Sequence, residues 1–139
     1  MKTSLSWIGG AAFEGKTPSG HSLIMDGPED GGGRNMGPRP METVLVGMMA
    51  CSGYDVVSIL KKSRQGLEDC QLEATAERAE KDPKVFTKIH LHFVLTGKDL
   101  NEKQVQRAIK LSAEKYCSAS IMLGKTAHIT HSYEIKESG

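Results

Sequence analysis

The chain has 139 residues, 38% of them hydrophobic, and its 18 basic against 17 acidic side chains leave a formal net charge of +1. That size suits a single domain, 1–139, with one packed core, and so even a charge gives no general pull toward nucleic acid or an anionic membrane surface. The N-terminal MKTSLSWIGGAAFEG has no sustained apolar core, no stretch reaches the roughly 20 uninterrupted apolar residues of a spanning helix, and three cysteines are an odd count for a disulfide framework; the expectation is a cytoplasmic protein with reduced or redox-active thiols.

Three short strand-like pieces come first, around Thr3 to Ile8, Ala12 to Lys16 and His21 to Asp26, and suggest an N-terminal meander. MDGPEDGGGRNMGPRP, residues 25 to 40, is rich enough in glycine and proline to be a loop. Pro40 then stands where proline is tolerated in a first helical turn, and the pattern from Met41 to Ser63 stays helical until Gly66. Its apolar residues cover more than one stripe, so this helix is expected to be buried on most of its circumference. CQLEATAERA (70 to 79) and KIHLHFVLT (88 to 96) both alternate, the second placing Ile89, Leu91, Phe93 and Leu95 on one face; with Asp82 and Pro83 at the turn they predict a hairpin. Asn101 followed by Gln104 is a capping-box pattern opening a second helix to about Tyr116 or Cys117, with a short extension to Leu123. AHITHSYEI, residues 127 to 135, alternates once more and predicts a closing strand. The order is α+β, with antiparallel sheets packed against helices.

Cys51 lies deep in the first helix, too far from its start for the helix dipole to act on it, and burial among methionines raises a thiol's pKa. On these grounds alone it is as readily a small core hydrophobe as a reactive thiol. Two features favour reactivity. Ser52, Gly53 and Asp55 are odd packing for a helix otherwise filled with Val, Leu and Met, and they suggest that one side of it is not closed by ordinary core. Cys117, in EKYCSAS at the end of the second helix, is likewise followed by small and polar residues.

PMETVLVGMMACSGYDV and AEKYCSASIML, separated by a hairpin, resemble the two cysteine segments of the OsmC/Ohr superfamily, the osmotically inducible protein C and organic hydroperoxide resistance proteins. The similarity extends over nearly the whole chain and is greatest to the YhfA-like branch. It implies an OsmC-like fold in which antiparallel sheets wrap long central helices in an intertwined homodimer, with sites at the subunit interface. It also implies that Cys51 attacks a peroxide, that Cys117 resolves the sulfenic acid as a disulfide, and that a dithiol reductant reopens it, with no cofactor and no metal.

The chain departs from that pattern at the groups that activate the thiol. Active members supply an early N-terminal arginine, held by a glutamate, and here no arginine precedes Arg34. The acid, ten residues before the cysteine in active members, is here nine before it, at Glu42, with Met41 in the expected place. One step turns a helix by about 100°. Arg39 and Arg34 are the candidate replacement cations, with Arg39 beside Glu42. Ser118 stands where proline often follows the second cysteine. The expected outcome is thiol redox chemistry, Cys51, Cys117, Glu42 and Arg39 forming the site, with slow or unusual peroxide turnover. The alternative is a non-catalytic dimer that binds a small apolar ligand in a pocket lined by methionines such as Met48, Met49 and Met122.

Other signals read as structural. ASIMLGKT lacks the first glycine of a phosphate loop and follows a helix rather than a strand. His90 and His92 share a strand face without a third ligand and are expected to be exposed surface histidines; His128 and His131 face opposite sides. Asp55 is read as the charged edge of a buried helix, because an anion raises a neighbouring thiol's pKa, and Cys70 as packing.

Overall fold

The computed structural model describes residues 1–139, which pack as two units, Met1–Val46 and Gly47–Gly139. In the first, β1 (Ser4–Trp7), β2 (Phe13–Lys16) and β3 (Ser22–Met25) form the expected antiparallel meander in the order β1-β2-β3. Trp7 pairs with Phe13, and Phe13 with Met25. The first turn uses Gly9 and Gly10 at φ 101° and 54°, where a side chain would be strained, and the Trp7 indole N–H closes it on Gly10 O at 2.9 Å. The loop after β3 contains one 3-10 turn, Glu29–Gly31. It is organised by Asp26, whose carboxylate accepts from the N–H groups of Gly27, Arg34 and Met36 at 2.7, 3.1 and 3.2 Å. Burial pushes that carboxyl up, but these three bonds and the Arg34 charge outweigh it and hold its pKa below the ordinary value. Only Ala12 and Asp26 are buried in this unit, whereas Leu5, Trp7 and Leu23 stand exposed.

Helix α1 (Pro40–Lys62) begins at the end of this unit. At its start the Glu42 carboxylate caps the Arg39 N–H at 2.8 Å, and Arg39 O receives Thr43 N–H at 3.0 Å as the first turn closes. The helix ends before Gly66, because Arg64 takes the left-handed conformation at φ 57° and Gln65 N–H bonds back to Leu60 O.

In the second unit, β4 (Gly66–Arg78) and β5 (Phe86–Lys98) form the expected hairpin, with Leu72 opposite Phe93 and Cys70 opposite Leu95. Alternation on β5 sends Ile89, Leu91, Phe93 and Leu95 into the core. Helix α2 (Glu102–Leu111) opens as predicted, Asn101 Oδ1 accepting from Gln104 N–H at 3.1 Å. It runs into a single π-helical turn, Ser112–Tyr116, and then α3 (Ser118–Leu123). β6 (His128–Glu137) completes a sheet of order β4-β5-β6. The α+β architecture is as expected, but β6 lies parallel to β5, Lys88 opposite His128 and Gly97 opposite Glu137, so this sheet is mixed rather than wholly antiparallel. The intervening helices return the chain to the end of the sheet where β5 began, which is the crossover a parallel neighbour requires.

Burial on α1 also differs from expectation. Its buried residues are Met48, Ser52, Gly53, Val56 and Leu60, essentially one stripe at four-residue spacing, while Val44, Val46 and Tyr54 are exposed. By length and composition α1 is also apolar enough to cross a membrane, which corrects the reading based on uninterrupted apolar runs. Met48, Ser52, Val56 and Leu60 nonetheless form a stripe packed inside protein.

Candidate active site

Two local features place the two predicted cysteines. Cys51 is on α1, one residue before the buried stripe position Ser52, and is half-buried; Cys117 is fully buried at the N-cap of α3. The π-helical turn sets the second thiol's position, since its extra residue lets Cys117 N–H close on Ser112 O at 2.8 Å. All three cysteines are free thiols. The sulfurs of Cys51 and Cys117 and a carboxylate oxygen of Asp55 lie within 4.8 Å of one another. The two sulfurs are thus neighbours but not bonded, since a disulfide holds them about 2 Å apart.

The hydroxyls around the pair were visible in the sequence only as small polar residues. Ser52 Oγ and Ser120 N–H each donate to Cys117 Sγ at 3.3 Å, and Ser52 Oγ lies 3.2 Å from Ser120 Oγ. Ser112 Oγ donates to Asp55 Oδ2 at 2.9 Å. The side of α1 not expected to be closed by ordinary core is closed largely by this polar cluster: Ser52 is 1% exposed, and a methyl on Gly53 would stand 3.3 Å from Leu72 Cδ1. Small residues are there so that α3 and β4 can come close, and Ser112 and Ser120 are site residues that the sequence reading missed. Their signal was a serine on either side of Cys117 at helical reach.

These contacts divide the charge unequally. Burial pushes the Cys51 thiol up; the Ala119 N–H opposes this, but Cys117 and the Asp55 charge add to it, and the thiol ends above its ordinary value. Burial also pushes Cys117 up, but hydrogen bonds from Ser120, Ser52 and Cys51 outweigh it and bring this thiol below. Within one chain Cys117 is therefore the more acidic thiol of the pair and Cys51 the less acidic. Asp55, expected to be a charged helix edge, is a member of the cluster.

Arg39 and Glu42 are placed together by the Glu42 carboxylate's bond to the Arg39 N–H at the start of α1. The Arg39 guanidinium donates to Asn35 Oδ1 at 2.6 Å and to Gly37 O at 3.4 Å. The two ion pairs of the chain are Lys88 with Glu77 and His92 with Glu134, so Arg39 and Glu42 interact through the backbone rather than through opposed charges.

His90 and His92 are half-buried rather than the exposed residues expected. The parallel register sets them against β6, where His90 bonds to Thr130 Oγ1 and Ser132 Oγ at 2.6 and 2.7 Å, and His92 to Ser132 Oγ at 2.7 Å. His131 stacks on Phe93 with ring centres 6.4 Å apart. Cys70 is half-buried and raised by burial and by the Asp69 charge, as suits a packing residue.

The chain resembles proteins of known family over its whole length. It is 48% identical to Protein YhfA of Escherichia coli K12 over 135 residues, 97% of this chain and 98% of that one. A hypothetical protein from Aquifex aeolicus VF5 is 34% identical with a TM-score of 0.87, covering 99% of this chain and 97% of its own. An organic hydroperoxide resistance protein OsmC from Legionella pneumophila shares the fold at a TM-score of 0.71 and 20% identity, with 96% and 97% covered. Residues 31–132, which carry both thiols, match the model of the OsmC-like proteins, and the chain belongs to that family.

Proposed function

We propose that this OsmC-like protein reduces organic hydroperoxides through the Cys51 and Cys117 pair. The observation that carries the reading is the placement of two free thiols within 4.8 Å, one half-exposed and one fully buried. In this reading Cys51 reacts as the minor thiolate formed when its proton passes to a deprotonated Cys117 sulfur, the more acidic of the two because Ser52 and Ser120 donate to it. The Cys51 thiolate attacks the outer oxygen of a hydroperoxide, and the O–O bond breaks; the alkoxide leaves and is protonated by water. Cys51 becomes a sulfenic acid. The protonated Cys117 then displaces hydroxide from it, releasing water and forming a disulfide. A small dithiol restores both thiols by exchange and leaves as its own disulfide, a reductant that a cytoplasmic setting supplies.

Arg39, with Glu42 beside it, is the cation this reading assigns to the developing charge, presented by either copy of a homodimer. Support for the second copy comes from exposure: a 46-residue unit with one buried apolar side chain does not hold together alone, and Val44, Val46 and Tyr54 of α1 need cover. The second reading, a non-catalytic binder of a small apolar ligand, draws on the raised Cys51 thiol.

Peptide mass spectrometry after titration with an alkyl hydroperoxide separates the two. The peroxidase reading expects a Cys51 to Cys117 disulfide at about one equivalent, and a Cys51 oxidised beyond the sulfenic acid in Cys117→Ser. If Cys51 stays reduced while Cys70 oxidises, the binder remains.

A further inference from the structure

The function proposed above leaves one member of the thiol cluster without a part. Asp55 sets a carboxylate beside two thiols, and an anion there opposes the ionisation that thiol chemistry needs. Its carboxylate accepts one hydrogen bond, from Ser112 Oγ at 2.9 Å, and forms no ion pair. With both cysteines as thiolates, three negative donors face one another, one of them fully buried and two half-buried. Such a set repels itself until a cation joins it. The spacing also suits one: a point among three atoms no more than 4.8 Å apart lies at most about 2.8 Å from each, against roughly 2.3 Å for a zinc–sulfur bond and 2.0–2.2 Å for a zinc–carboxylate bond. Shifts of less than about 1 Å complete the bonds.

We propose that Cys51, Cys117 and Asp55 bind one zinc-class divalent cation per chain, through both sulfurs and a carboxylate oxygen, with water in the fourth tetrahedral position. Two thiolates select a borderline-soft ion over magnesium or calcium, and each gives up its proton to solvent as the metal–sulfur bond forms. The elements fix the donors: Cys51 and Asp55 are four positions apart on α1 and share a face, and Cys117 meets them from the N-cap of α3. Behind them, Ser112 orients the carboxylate, and Ser52 and the Ser120 N–H orient the Cys117 sulfur. All of these residues belong to the unit Gly47–Gly139, so the site is built within one chain and owes nothing to the exposed face of α1. Metal binding is separate from peroxide chemistry. That a bound ion also shields the pair, by taking the sulfur electron pairs that attack a hydroperoxide, rests on the function proposed above.

Titration of reduced, chelator-treated wild type with Co²⁺ tests the site. One equivalent per chain should give sulfur-to-cobalt charge-transfer absorption with the intensity of two thiolates, together with the ligand-field bands of a tetrahedral ion, and Zn²⁺ should abolish both. Competition with a chromogenic chelator then compares zinc affinities. Loss of an orienting partner alone costs about 10- to 100-fold, so Ser112→Ala should fall in that range and Cys51→Ser and the isosteric Asp55→Asn should lose at least as much. Cys70→Ser should bind as wild type does. Absence of the two-thiolate absorption, an unchanged affinity in Asp55→Asn, or a loss in Cys70→Ser overturns the site. Should a substituted chain fail to fold, the wild-type cobalt spectrum still decides. Metal-free protein that consumes an alkyl hydroperoxide with a dithiol but binds no zinc sinks the metal site and leaves the thiol-redox function standing; zinc binding without peroxide consumption does the reverse.

Discussion

Ser52 acts on the thiol pair by what it donates. Its hydroxyl is one of the groups that hold Cys117 below the ordinary thiol range, and it is buried where water cannot replace it. Ser52→Ala is expected to cost about 1 kcal/mol of stability and to raise the pH at which the first thiolate forms, read from thiolate absorbance against pH. An unchanged titration would remove Ser52 from the proton path. His131 is a second residue whose environment has a sign. Burial, and then the neighbouring His90 charge, lower its pKa from 6.5. A base lowered in the folded state takes up its proton first when unfolded, so its neutral form favours folding above 6.5 and that contribution is lost as pH falls below it. Urea midpoints at pH 7.5 and 5.5 should therefore differ less in His131→Gln than in wild type.

At the scale of the elements, α2 was the most legible segment. Asn101 and Gln104 announced its first turn, and the side chain of the one accepts from the backbone of the other. Asn101→Ala should cost about 1 kcal/mol in chemical denaturation, as cap removal does. The π-helical turn after it was not legible, since no residue type encodes one extra residue in a helical turn; Ser112 to Tyr116 reads as more helix. The direction of β6 was hidden for a related reason. Alternation along HITHSYEI fixes which residues share a face but not which way the strand runs. Its parallel pairing with β5 also brought His90 and His92 against Thr130 and Ser132 and made them half-buried network members.

For the whole molecule, the exposed apolar surface is the unresolved term in its energetics. Val46 is 62% exposed and Tyr54 76%, on a helix whose sequence asks for burial nearly all round. Sedimentation velocity should show a dimer. Val46→Glu, which removes no contact to the core of a single chain, should shift it to monomer and lower its melting temperature. A wild-type monomer would refute the homodimer, and a variant that stays dimeric would place the interface away from Val46. What the sequence determined by itself were the properties carried by neighbours in the chain: the meander, the long helix, the hairpin, the cap and the pair of cysteine segments, because periodicity and capping are local. The tertiary structure decided which of the two thiols is the more acidic. That depends on Ser52, Asp55, Ser112 and Ser120 converging on two sulfurs sixty-six positions apart, and electrostatic energies follow distances in space.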